Sequence, residues 1–409
     1  MKNNIKKNFI WNSIGITINS FNSLFFLIIV KWINGIDVAG IFTYSFSLCM
    51  LSYVISNYYN RAYQVTNHNK HKFSDYLIFR IITSIIALVV TMTYSILSNF
   101  EFDKIIVILL LLLFRIIESI SDCFYALFQD NDRLYKVGIS YTLKGIIGLF
   151  LFFIVDLVFN NVFISIISLI IINVIVLMVY DFNNMKKITK FNFKFNGTAI
   201  KSIFFSSFSI FIFSFLSMFL SNISKYILTY FADNSVQTIL GILLMPATMV
   251  SLVGSYIIMP FLSKFKELNN KGDDKAIKVF SIKILFVLLL IDVICCIVGY
   301  FIGIPILNII YNINLNEYKT LLMIIIFGAF FCASSNILSN ILTVQNNNNK
   351  QLIIHVVTTF ISLAISIILI KNMIITGAVY SYFITYLVLF VLYIGLLFTT
   401  KKGDKNEKK

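Results

Sequence analysis

The sequence of 409 residues predicts an all-α polytopic membrane protein of about 12 transmembrane helices. Three observations carry this. Apolar stretches follow one another from Phe9 to Thr400 with only short polar breaks, and a hydrocarbon core of about 30 Å needs about 20 such residues per helix. The runs do not alternate polar and apolar residues as barrel strands do, and only helices and closed barrels satisfy their backbone groups in lipid. The composition, 59% hydrophobic and 12% charged, lies outside the range of soluble domains.

In chain order the expected spans are 9–30, 36–58, 77–97, 104–128, 135–158, 162–180, 201–225, 236–262, 279–302, 318–343, 351–370 and 375–399. The first is too long for a cleaved signal peptide and lacks a small-residue cleavage site, so it reads as a span. The second follows the short turn GIDVAG (35–40). The fourth begins with the run IIVILLLLLF before Arg115, and the sixth is SIISLIIINVIVLMVY ending at Tyr180. Pro246 and Pro260 in the eighth span and Pro305 after the ninth each remove a backbone hydrogen bond, which bends a helix as a hinge or as a fixed kink. The run NNNNK (346–350) is a polar turn between the tenth and eleventh spans.

The net charge of +15 does not mark a nucleic-acid binder, because the basic residues sit in alternate loops. About 24 Lys and Arg fall on one side and about 5 on the other, the positive-inside pattern, which puts both termini in the cytoplasm. The longest inter-span loop near mid-chain, 183–200, is basic and interleaved with Phe191, Phe193 and Phe195, as a segment at the headgroup level would be. It divides a six-helix lobe (1–182) from a second (201–409) that ends in a basic tail. Cys49, Cys123, Cys295, Cys296 and Cys332 all fall inside spans without metal-ligand spacing and read as packing residues.

The lobes open alike. Span one carries Asn12, Gly15, Asn19, Asn22 and Ser23 on one helical face, and span seven carries Ser207, Ser214, Ser217, Ser221 and Lys225. Such stripes either line a wet cavity or let helices approach closely. Span four is sharper. Arg115, Glu118, Asp122 and Gln129 project within about 60° of one another. Each unpaired mid-membrane charge costs about 2.5–3.5 kcal/mol on insertion scales, so the stripe needs internal partners or water. It is either a self-neutralising cluster of Arg115 with Glu118 and Asp122, or a cavity wall that handles anionic groups. Lys144 in span five has no acid within reach on its own helix, and the acids of span four are its expected partners. Arg61, Arg80 and Lys225 lie near span ends, where snorkelling also accounts for them. Asp292 and His355 are lone polar groups of the second half.

The chain carries no GxxxxGK[ST], HExxH or GxSxG motif. A membrane glycan polymerase, the rival enzyme class, usually displays a large outer loop with catalytic residues. Here the longest outer segment, 303–317, is short and has Glu317 as its only carboxylate, so the chain reads as a transporter and not an enzyme.

The segments NRAYQVTN (60–67), SDYLIFRIITS (74–84), RIIESISDCFYALFQDNDRLYKVGIS (115–140) and 224–268 resemble the polysaccharide repeat-unit flippases of the MOP superfamily, which also holds the MATE drug exporters. The resemblance implies two six-helix lobes around a central cationic cavity and alternating access. Its implied cargo is an undecaprenyl-diphosphate-linked oligosaccharide, moved from inner to outer leaflet of a bacterial cytoplasmic membrane for capsule, exopolysaccharide or O-antigen assembly. Arg61, Arg80 and Arg115 match basic positions of such proteins, and Lys144 and Lys225 join them as cavity cations read from the sequence. No cofactor is implied. Coupling to Na⁺ or H⁺, with Glu118, Asp122 or Asp292 as exchange site, is a further expectation, as is a monomer acting beside a polysaccharide polymerase and membrane lipids. A MATE-like exporter of cationic drugs is the main rival.

Overall fold

The computed structural model describes residues 2–58, 60–66, 70–189 and 195–399. Phe191, Phe193 and the basic tail lie outside the described residues. Sixteen α-helices follow one another: α1 Lys2–Asn34, α2 Ile36–Asn57, α3 Asn60–Thr66, α4 Phe73–Leu97, α5 Phe102–Asp130, α6 Leu134–Phe159, α7 Val162–Val176, α8 Asn183–Lys186, α9 Gly197–Leu228, α10 Asn234–Leu243, α11 Met245–Ile258, α12 Leu262–Lys271, α13 Asp274–Val298, α14 Ile304–Tyr311, α15 Lys319–Val344 and α16 Asn348–Thr399.

Ten of the helical segments among the described residues are long and apolar enough to cross a membrane. Two more belong with them. The charge stripe of α5 alone keeps it from that set, and α16 is two spans joined at Ile374, whose φ of 48° and ψ of −114° break the helix. The chain is therefore a multi-pass, all-α membrane protein, and large side chains such as Ile85, Val89, Phe150 and Leu157 face outward where lipid would lie.

Each proline sits at an interruption. Pro246 follows the break between α10 and α11, Pro260 lies in a 3₁₀ turn (Met259–Phe261) before α12, and Pro305 opens α14 after a π turn (Gly299–Gly303). The ring removes a donor that those geometries do not use. The outer segment 303–317 is thereby largely helical, since α14 continues the ninth span as far as Tyr311.

Contacts divide the chain into two compact units, Met1–Met218 and Phe219–Lys409. The division falls inside α9, beyond the basic linker that separates the lobes in the sequence. In the first unit the core gathers Tyr58, Tyr76, Phe79, Phe124, Tyr125, Phe128 and Ile203. Tyr58 ends α2 in a left-handed conformation and stacks on Phe211 of α9 at 4.3 Å. Asn8 at the start of α1 accepts from Tyr135 N (2.9 Å) and donates to Asp132 O (3.0 Å), which ties α1 to the turn between α5 and α6. The basic loops of this unit thus share one end. At the other end, Asn34 donates to Asp156 (2.6 Å) and Tyr44 packs against Phe100. In the second unit α15 is central, packed by α11, α13 and α16. The two arms of α16 run antiparallel, with Ser366 bonded to Ser381 and His355 to Tyr393 (3.1 Å). His355, alone in the sequence, therefore has a hydroxyl partner.

Candidate functional site

A buried polar core lies in the first unit towards the end that carries the basic loops. Asp122 of α5 is its centre. One carboxylate oxygen accepts from Arg80 of α4 (3.4 Å) and from Asn57 Nδ2 (3.3 Å), and the other faces Arg61 of α3 (3.3 Å). Arg80 also donates to the backbone carbonyl and the side-chain oxygen of Asn57. These bonds have a local cause. α2 stops at Asn57, so its last carbonyls lack helical partners, and a guanidinium supplies the donors. Arg80 is 1% exposed, so it points inward and does not snorkel to the surface.

Arg61 is held differently. Its Nε donates to Gln129 (3.1 Å), its guanidinium lies 6.0 Å from the Tyr125 ring, and the Tyr141 hydroxyl of α6 lies nearby. Its side chain is 26% exposed, against 1% for Arg80, 6% for Lys144 and 9% for Arg115. Of these cations it has the most exposed side chain.

Lys144 corrects the sequence reading. Its ammonium donates to Ser121 (2.6 Å) and Tyr125 (2.9 Å) of α5, but its carboxylate partner is Asp181 (2.8 Å), outside the span-four acids. Asp181 sits in a π turn, Leu177–Phe182, that continues α7. A π turn accommodates an extra residue, and such turns recur at functional sites. Here it brings Asp181 round to the buried face shared with Asn173 and Leu177. Arg115 pairs with Glu118 on its own helix and packs its guanidinium on Phe46 (4.5 Å) and Phe114 (5.0 Å). Of the expected self-neutralising trio only Arg115 and Glu118 pair, because Asp122 is taken by Arg80 and Arg61.

The structure thus brings Arg61, Arg80 and Asp122 together, sets Lys144 beside them through Tyr125, and leaves Arg115 with Glu118 as a separate pair. Lys225 and Asp292 belong to the second unit. Lys225 is half-buried near the end of α9, with no carboxylate partner among the described residues. Asp292 is fully buried on α13. Cys296 Sγ approaches one of its oxygens at 3.9 Å, and the other has no hydrogen-bond partner among the described residues. In the π turn that follows α13, Gly299 lies against Ile326 and Gly303 against Leu322 of α15. The sequence reading missed Asn57, Tyr125, Tyr141 and Asp181. Tyr125, one helical turn from Asp122, was open to the same spacing argument, and Asp181 lay one residue beyond the apolar run.

Solved structures of like shape settle the architecture. A multidrug resistance MATE family transporter of the MOP superfamily, in an inward-facing conformation, matches 96% of this chain and 99% of its own at a TM-score of 0.70 with 11% identity. The lipid II flippase MurJ, inward closed, matches 97% of this chain and 88% of its own at 0.73 with 14% identity. The chain has the MOP-superfamily transporter fold. A MOP transporter from Pyrococcus furiosus aligns over 97% of this chain and 96% of its own at 0.55 with 12% identity. No family model matches the sequence. A curated relative, the capsular polysaccharide biosynthesis protein CapF of Staphylococcus aureus, is 22% identical over 330 residues, covering 80% of this chain and 82% of that one.

Proposed function

We propose that this MOP-fold protein is a flippase that moves undecaprenyl-diphosphate-linked oligosaccharide repeat units from the inner to the outer leaflet of a bacterial cytoplasmic membrane. The observation that carries the reading is Arg61, the most exposed cation of a buried network at the end where the basic loops lie. A guanidinium holds phosphate oxygens by charge-assisted, bidentate hydrogen bonds. The likeness to a lipid II flippase and the distant capsule-biosynthesis relative support this choice of cargo. Export of cationic drugs suits the fold as well, but the carboxylates it would use in the first unit, Glu118 and Asp122, are paired with arginines. The membrane potential favours the direction. One negative charge moving outward from a negative interior gains about 2.3 kcal/mol per 100 mV.

The test is the leaflet distribution of lipid-linked repeat units in cells lacking the gene, restored with wild type or with Arg61→Gln. Losing one charge-assisted contact worth about 1.5–3 kcal/mol should lower transport roughly 10- to 100-fold. Units that accumulate on the cytoplasmic side, cleared by wild type and not by the equally expressed variant, are the expected result. A distribution indifferent to the gene would turn the assignment to the drug exporter.

Asp292 is the proposed coupling group. A buried carboxylate with an unpartnered oxygen is costly unless a proton or cation joins it. Asp292→Asn should leave transport indifferent to imposed Na⁺ and H⁺ gradients, measured in proteoliposomes with the membrane potential clamped. A gradient dependence equal to wild type would rule Asp292 out.

A further inference from the structure

Among the described residues of the first unit, each cation of the polar core already has a carboxylate: Asp122 for Arg80 and Arg61, Asp181 for Lys144, and Glu118 for Arg115. An anion that enters must therefore compete with an internal one. The geometry makes one of these pairs easier to open than the rest. Arg61 meets Asp122 at 3.3 Å, much as Arg80 does at 3.4 Å, but its side chain is 26% exposed against 1% for Arg80, so an entering anion can reach it. Its other oxygen stays with Arg80 and Asn57, both buried, and Arg80 is anchored independently on the Asn57 carbonyl. Asp122 can release Arg61 without being left as an unpaired buried charge. The Lys144 and Asp181 pair has no such reserve, since both members are buried and Lys144 is the carboxylate's cationic partner.

From this arrangement we infer that Asp122 is an internal stand-in for substrate phosphate. It occupies Arg61 in the empty protein, gives way to the diphosphate when cargo binds, and returns to expel it. Arg80 and Asn57 are the clamp that keeps Asp122 in place throughout. The inference rests on the proposed diphosphate cargo. It adds a mechanism of release, because a site whose cation is permanently free would hold a diphosphate too long to turn over.

The two sides of Arg61 give variants of opposite sign. Asp122→Asn keeps a carbonyl acceptor for Arg80 and removes the competing charge, so it should bind a diphosphate about tenfold more tightly, a change of about 1.4 kcal/mol, while transport at saturating cargo slows. Gln129→Glu alters an exposed residue, so folding is not in question, and sets a second carboxylate against Arg61 Nε. It should bind about tenfold more weakly. Arg61→Gln should weaken binding roughly 10- to 100-fold, the loss of one charge-assisted contact.

The measurement is titration of the purified protein in nanodiscs with farnesyl diphosphate, and separately with inorganic pyrophosphate. The expected ranking is Asp122→Asn, then wild type, then Gln129→Glu. Both probes showing that ranking assigns recognition to the diphosphate itself, and only the prenyl form showing it assigns recognition to the lipid-linked group. A folded Asp122→Asn that binds like wild type or more weakly overturns the exchange. Should that variant not fold, Gln129→Glu binding as tightly as wild type overturns it alone. If wild type binds neither probe and Arg61→Gln transports normally, the cargo assignment has failed, a result distinct from failure of the exchange.

Discussion

Lys144→Met should destabilise the protein by about 3–5 kcal/mol, and Asp181→Leu by a similar amount, while the double variant recovers most of the loss. The pair is buried from both sides at 2.8 Å, and Lys144 also donates to Ser121 and Tyr125, so α5, α6 and the π turn after α7 meet at one ammonium. Removing either partner leaves the other charged in a low-dielectric site, whereas removing both leaves two apolar side chains of similar bulk. Denaturant unfolding in mild detergent gives the coupling energy directly. Losses that simply add would mean the two groups do not interact across the helices. The same double variant should keep diphosphate binding in nanodiscs, because Arg61 does not depend on Lys144 for its contacts with Asp122 and Gln129. Loss of binding in a folded double variant would return Lys144 to the substrate site, where the sequence reading placed it.

The spans were legible because lipid imposes one rule on every segment, a helix of sufficient apolar length. Even the break in α16 showed in the polar pair Lys371 and Asn372, although the residue that bears it, Ile374, is neither Gly nor Pro. The α5 stripe was legible for the same reason, since four polar groups at helical spacing cannot all face hydrocarbon. Partners were less legible, because a salt bridge between helices depends on rotation and depth. Arg80 illustrates the limit. Its position near a span end allowed snorkelling, and what turns it inward is the point at which α2 stops, which frees the Asn57 carbonyl. Asp181 illustrates another, because a π turn shifts the helical face and leaves no mark in hydropathy. The stripe of α1 divides between its two readings: Gly15 is buried against α6, while Asn19 remains exposed.

Gly138→Ala should cost about 1–3 kcal/mol, and Gly138→Leu more, although both residues are better helix formers than glycine. A Cβ at Gly138 would run into the Trp11 carbonyl and the Asn12 nitrogen, and one at Gly15 into the Gly138 backbone. α1 and α6 therefore touch main chain to main chain, the close approach that small residues permit between membrane helices. Backbone cannot swing aside as a side chain can, so the helices must separate and lose packing along their length. Gly395 in α16 supplies the internal control. A Cβ there meets nothing within 4 Å, so Gly395→Ala should raise the melting temperature slightly through helix propensity. Opposite shifts for the two alanine variants in one thermal series would confirm the contact. If Gly138→Ala melted with wild type, α1 would not rest on α6, and the face that carries Asn12, Asn19 and Asn22 would be free to line a path for the cargo.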